Sequence, residues 1–226
     1  MSKEYIHVLS QTDLFNNLPI ATIESLLKTF NGSIRHYKKG ETIFDAGDLC
    51  QSLGIILKGK VELSNFLISG DVSNLVTLST GHIFGEAVIF APSNIYPISA
   101  TSMVNSYILH LKKDEILNLM KEHSSFNEDY LCLLSKKLIF LNDKFKLLSM
   151  TTIRGKIAHV LLKLSKEQNS LEINLPFSKE KMASHISTRR PSLSRELSKM
   201  KSEGLIDYEK SKITILDVEA LNHYLY

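Results

Sequence analysis

Arg189, Arg190, Arg195, Lys199 and Lys201 crowd into one short stretch near the end of the chain, interleaved with Ser192 and Ser194. Leu193, Leu197 and Met200 fall at i, i+4 and i+7 of the same stretch, one face of a 3.6-residue helix. Arg190, Ser194 and Lys201 project elsewhere, and Ser192, Arg195 and Lys199 lie on or near the far side. A helix buried on one face and armed with guanidiniums and hydroxyls on the other suits the major groove of DNA. Arginine pairs bidentately with guanine, serine contacts bases or phosphates, and lysine neutralises backbone charge. Arg189 stands at the positive end of this helix, a locally unfavourable place that a phosphate partner would explain.

The flanking segments read as the frame that holds this helix. A shorter helix precedes it after Phe177, opened by Lys179, which is a further candidate for backbone contact. Leu205–Tyr208 and Lys212–Leu216 flank Glu209–Ser211, a hairpin with Lys210 and Lys212 at its tip. Upstream, Ile157, Val160, Leu161 and Leu164 mark an amphipathic helix, and residues 171–175 alternate as a short strand. A short helix from Asp217 closes the chain. Charge follows the same division. Residues 1–150 carry 14 Lys/Arg against 15 Asp/Glu, and residues 151–226 carry 13 against 9. The net +3 of the chain thus hides a basic C-terminal third, the sign expected of a nucleic-acid-binding domain.

Before this third, residues 113–122 form one helix and about 126–149 a longer one. Leu131, Leu134, Leu138, Leu141, Phe145 and Leu148 are spaced 3, 4, 3, 4, 3, a heptad seam. Such a stripe can pack on its own domain or form a parallel two-helix dimer interface, and the strict spacing favours the dimer. Met150–Arg154 reads as a hinge, because Thr151-Thr152 is poor helix sequence.

From Ser33 to Leu111 the texture is different. Short runs rich in Ile, Val, Leu, Phe and Thr alternate with turn residues, punctuated by glycines at 40, 47, 59, 70, 81 and 85. This is the pattern of an antiparallel sandwich or roll. A helix over Ile20–Phe30 precedes it, closed by Asn31-Gly32.

Several classes are excluded or disfavoured. An apolar content of 43% and a charged content of 23% are those of an ordinary globular chain. No signal-peptide-like segment opens it and no run approaches a membrane span, so a cytoplasmic, non-membrane protein is expected. Cys50 and Cys132 make neither a disulfide framework nor a metal spacing and read as reduced thiols. The eight histidines form no ligand pattern, so no metal is expected. No G-x-S-x-G, P-loop or metal spacing groups the nucleophiles, so no enzyme is expected.

Three stretches in register carry a family resemblance. They are Lys39-Gly-Glu-Thr-Ile-Phe-Asp-Ala-Gly-Asp48 with Leu57-Lys-Gly-Lys-Val-Glu-Leu63, then Gly81-His-Ile-Phe-Gly-Glu86 followed by Ser99-Ala-Thr101, then Arg190-Pro-Ser-Leu-Ser-Arg-Glu-Leu197. Together they resemble the cyclic-AMP receptor (Crp/Fnr) superfamily of bacterial transcription regulators. The resemblance implies an α+β chain with a β-roll sensor of cyclic-nucleotide-binding type over 1–112, helices over 113–150 that include a long dimerisation helix, and a winged helix-turn-helix over 151–226. It implies a homodimer on double-stranded DNA with an inverted-repeat site, and contact with RNA polymerase. A runner-up reading keeps the sensor but docks the C-terminal domain on a protein partner.

The resemblance also places residues. Arg190, Ser192 and Arg195 match base-reading positions, while Pro191 stands where well-known members carry a glutamate that reads cytosine. Ser187 replaces a glycine frequent in the turn. Gly85, Glu86, Ser99 and Thr101 match the effector site, and on the long helix Leu141 and Asn142, the latter a further effector-site candidate, replace the polar residues that reach the nucleotide base in the cyclic-AMP receptor. The arginine that neutralises a cyclic phosphate is replaced by Ile98, and nothing basic lies between Gly85 and Thr101. A buried phosphate without a cation would be expensive, so cyclic AMP is not the expected effector. The cysteine cluster of oxygen-sensing relatives is absent, and His82 reads as structural rather than as a haem ligand. No cofactor is expected, and an unidentified small-molecule effector is left open.

Overall fold

The computed structural model describes residues 3–30, 33–66 and 72–225. The chain divides into two compact units, Met1–Lys137 and Leu138–Tyr226, so the division falls inside one long helix. In the first unit α1 (Lys3–Ser10) and α2 (Ile20–Thr29) precede eight strands. These are β1 (Ile34–Tyr37), β2 (Thr42–Phe44), β3 (Ser52–Lys58), β4 (Lys60–Phe66), β5 (Val72–Ser79), β6 (Ile83–Phe84), β7 (Ser99–Ser102) and β8 (Ser106–Lys112). They form two antiparallel four-stranded sheets, ordered β1-β8-β3-β6 and β2-β7-β4-β5. The expected roll is therefore present. It gains α1, β1 and β6, which are too short or too mixed in pattern for periodicity to reveal. The turn expected at Gly70 lies outside the described residues, as does the helix end expected at Asn31-Gly32.

Strand β3 is the spine of this unit. Leu53, Ile55, Ile56 and Leu57 are all fully buried, on both faces of the strand. A continuous apolar run of this kind needs cover on both sides, here the facing sheet and α1. Gly54 in its middle has a packing reason: a Cβ there would sit 2.1 Å from the Phe84 ring. Phe44 and Tyr96 stack with centroids 3.6 Å apart in the same core. Helix α3 (Lys113–Glu122) follows β8, with the Glu115 carboxylate accepting from the Lys112 N–H at 2.6 Å. Helix α4 (Ser124–Ser149) then begins by burying Phe126, Tyr130 and Leu133 in the roll core.

In the second unit the rest of α4 is followed by α5 (Ile153–Gln168), β9 (Glu172–Asn174), α6 (Lys179–His185), α7 (Arg190–Ser202), β10 (Ile206–Glu209), β11 (Lys212–Ile215) and α8 (Val218–His223). The break expected at the Thr-Thr step is there. Thr152 caps α5, its hydroxyl accepting from the Gly155 N–H at 3.0 Å. A three-stranded sheet, β10-β11-β9, flanks the helices. Its core joins Ile157 and Leu161 of α5 to Ile186, Leu193 and Leu197.

His110 on β8 is a half-buried polar side chain of the roll. Its Nε2 lies 3.0 Å from the Tyr37 hydroxyl and its Nδ1 3.0 Å from the Ser52 hydroxyl, so both ring nitrogens are occupied in the neutral form. Burial, reinforced by Arg35, lowers its pKa to about 4. An unfolded chain would take up this proton near pH 6.5, whereas the folded one resists until about 4. Stability from this group is therefore complete above pH 6.5 and drains away as pH falls toward 4, by on the order of 3 kcal/mol in all. Urea unfolding at stepped pH should show this loss in the wild type and a shallower slope in His110→Gln. Equal slopes would contradict it.

Candidate nucleic-acid interface and sensor site

Helix α7 presents its residues as its periodicity requires. Leu193, Leu197 and Met200 are completely buried, each contributing ~1.5–3 kcal/mol. Arg189, Arg190, Arg195 and Lys199 are exposed, and Ser192 and Ser194 are half-exposed beside them. Arg189 is the N-cap residue, extended and without a side-chain cap bond, and Pro191 sits in the first turn, where its missing N–H is harmless. The turn before α7 uses Ser187 in the left-handed region at φ 54°, the conformation a glycine would take without strain.

Charge pairing separates the cations. Among the described residues, Arg189, Arg195, Lys199, Lys210 and Lys212 have no carboxylate within ion-pair distance. Arg190 lies 3.6 Å from Glu180, but both side chains are well exposed. Lys201 pairs with Asp207, which holds the carboxyl below its ordinary range. Lys179 places its ammonium 4.2 Å from the centre of the Tyr208 ring, so it is engaged within the unit. Lys210 forms the tip of the β10–β11 hairpin at φ 53°, and Lys212 opens β11 opposite Glu209.

Arg154 locks α7 to α5 and was not expected from the sequence. Its Nε donates to Glu196 at 2.6 Å, and its two terminal nitrogens donate to Glu203 at 2.6 and 3.1 Å. It also donates to the Tyr224 hydroxyl at 3.2 Å. Glu196 and Glu203 stand on and just beyond α7, so one guanidinium fixes both the angle and the rotation of that helix. The surrounding carboxylates push the Arg154 pKa upward and keep it charged.

Of the residues expected at an effector site, Gly85, Glu86, Ser99 and Thr101 lie in the first unit. Gly85 turns the chain at φ 80°, and Glu86 follows, buried at 6% exposure. Lys137 of α4 reaches back to the Glu86 Oε1, while Oε2 is buried without a partner among the described residues. The Tyr130 hydroxyl donates to the Glu86 carbonyl at 2.7 Å. Ile98 is half-buried, and the Ser99 hydroxyl is already used, accepting from the Ala46 N–H at 2.9 Å. Thr101 is half-buried on β7. Asn142 is exposed on the part of α4 that belongs to the second unit. The cation at this site thus comes from 51 residues beyond Glu86, a distance at which no motif links the two.

The heptad positions of α4 carry a row of exposed apolar side chains. Leu131, Leu138, Leu141, Phe145 and Leu148 are 60–72% exposed, whereas Leu134 is half-buried and packs on the roll core. Cys50 is buried and Cys132 exposed, both as free thiols. Burial raises the Cys50 pKa. His82 is exposed, with Nδ1 3.0 Å from the Ser79 carbonyl. No group of three metal-ligating side chains occurs among the described residues, and no helix there is long and apolar enough to cross a membrane.

Residues 34–123 match the cyclic nucleotide-binding domain model, and residues 155–224 match the Crp-like helix-turn-helix domain. The chain is 24% identical over 219 residues to the CRP-like cAMP-activated global transcriptional regulator of Mycobacterium tuberculosis, covering 95% of this chain and 96% of that one. It is 28% identical over 193 residues to the cyclic AMP receptor protein of Thermus thermophilus, covering 85% and 87%. Its fold is similar to the crystal structure of the Thermus thermophilus catabolite activator protein, with a TM-score of 0.56 at 25% identity and coverage of 95% and 98%. Fold and matches define an α+β regulator in which a cyclic-nucleotide-binding-type roll precedes a helix-turn-helix domain. The chain belongs to the Crp/Fnr family of transcription regulators.

The Glu86–Lys137 pair predicts a measurable coupling. Lys137→Met leaves a buried carboxylate unbalanced and should lower stability by about 1–3 kcal/mol, less than for a fully buried pair because Lys137 is 42% exposed. Glu86→Gln added to it should recover part of that loss. A double-mutant cycle in urea reads the coupling, and a value near zero would reduce the pair to a surface contact.

Proposed function

We propose that this regulator binds DNA as a homodimer and reads sequence with α7. The carrying observation is the division of that helix: three fully buried apolar residues on one side, and Arg189, Arg195 and Lys199, without carboxylate partners among the described residues, on the other. Arg190, Ser192, Ser194 and Arg195 stand on its first two turns and are assigned to base edges and the adjacent phosphates. Arg189, Lys199, Lys210 and Lys212 are assigned to the backbone. Lys179 supports Tyr208 instead of standing free. The exposed seam of Leu131, Leu138, Leu141, Phe145 and Leu148 supports a two-helix dimer contact. Two-fold symmetry then asks for an inverted repeat with half-sites about one DNA turn apart. Contact with RNA polymerase belongs to the same reading.

The sensor roll is assigned to an effector other than cyclic AMP, or to none. Two of the relatives are cyclic-AMP proteins by name. Here, however, Ile98 replaces the phosphate-neutralising arginine, and Lys137 is already committed to Glu86. An effector would act by binding two dimer arrangements unequally, changing the angle at residues 149–154.

Side-chain roles are separable by experiment. Arg195→Ala should lose about 1–3 kcal/mol on the cognate site and relax specificity at one base pair. Lys212→Ala should weaken cognate and random DNA alike and flatten the salt dependence by about one ion. Fluorescence anisotropy against salt distinguishes them. Equal losses for Arg195→Ala on both DNAs would remove its base-reading role.

A further inference from the structure

A cavity of ≈ 210 Å³ lies wholly within the second unit, between the end of α4, α5 and α6. Phe140 and Phe177 supply aromatic walls, and Lys144, His159, Lys163 and His185 supply the polar ones. Its groups on α4 are Lys144 and Asp143, those on α5 are His159, Lys163 and Glu167, and that on α6 is His185. Lys163 is committed to Asp143 and lies 3.9 Å from Glu167. Lys144 is different: it has no carboxylate partner among the described residues. It donates to the His185 carbonyl at 3.1 Å and lies 3.3 Å from His185 Nδ1.

That contact has a chemical consequence. An ammonium only donates, so Nδ1 must accept and the neutral ring carries its proton on Nε2. The cavity therefore offers a partly enclosed cation, without a carboxylate partner among the described residues, and two aromatic walls. We infer that it is a second ligand site, distinct from the roll, for a small aromatic carboxylate whose anionic group pairs with Lys144 while its ring lies between Phe140 and Phe177. Phe140, Asp143 and Leu147 centre about 150° around α4 from the row Leu138, Leu141, Phe145 and Leu148, and Lys144 stands at the flank of that row, about 40° from Leu148. A bound carboxylate would tie α4 to α5 and to α6, the helix that precedes α7.

The surrounding histidines respond in a defined direction. Burial, with Lys144 and Lys163 adding repulsion, lowers the His185 pKa. Burial also lowers that of His159, where Asp143 pulls the other way and Lys163 and Lys146 push with burial. A bound anion favours the imidazolium, so it must raise both, and by linkage its affinity must grow as pH falls.

The test is titration of the full-length protein with 2-naphthoate and with its uncharged amide, 2-naphthamide, by calorimetry and by imidazole NMR. The acid should bind at least about ten-fold more tightly than the amide, and Lys144→Gln should abolish that preference. The His185 and His159 resonances should titrate at higher pH in the saturated wild type. Equal binding of acid and amide by the wild type, no saturation below about 10 mM, or a preference that survives Lys144→Gln with unmoved histidines would each overturn the assignment. The acid–amide comparison stands on the wild type alone, so it holds even if the variant folds poorly.

Discussion

The orientation of one helix governs the DNA-binding half of this molecule. Helix α7 has a single apolar face, and Leu193, Leu197 and Met200 commit that face completely to the core of the second unit. Rotation about its axis would expose them and bury guanidiniums, which is costly in both directions. The outward placement of Arg189, Arg195 and Lys199 is therefore a consequence of burial and not an independent feature. Arg154 adds what apolar packing cannot supply. Its fork holds Glu196 and Glu203 at separate points along α7, fixing tilt as well as rotation.

The roll obeys a related constraint on its own side of the chain. Its sheets enclose an apolar interior in which Glu86 is an anomaly, and the cation that balances it comes from α4. The helix that carries the exposed apolar row thus also carries the charge that balances Glu86. Leu134 shows the same division of labour, since it alone among the heptad positions turns toward the roll core. One helix face cannot serve both purposes at one residue, and the heptad yields where the roll needs packing.

Much of this architecture is legible in the amino-acid order because it rests on periodicity. The 3.6-residue spacing of α7, the heptad of α4, the alternation at β9 and the break at Thr152 are local signals, and the structure has each of them. Strands β1 and β6 and helix α1 escape such reading because two to eight residues carry too little pattern. The Glu86–Lys137 pair and the Arg154 clamp escape it for another reason. Their partners are 51, 42 and 49 residues apart, and only the tertiary fold brings them together. The Lys179–Tyr208 contact is likewise invisible in the sequence, where Lys179 looks like any other cation of the basic third.

The most direct test of the central claim is selection of bound fragments from random duplex DNA by the purified protein, without ligand, at near-physiological salt. The account predicts enrichment of one inverted-repeat motif whose half-sites lie about one helical turn apart. Enrichment of no sequence, or of a motif without two-fold symmetry, would contradict it.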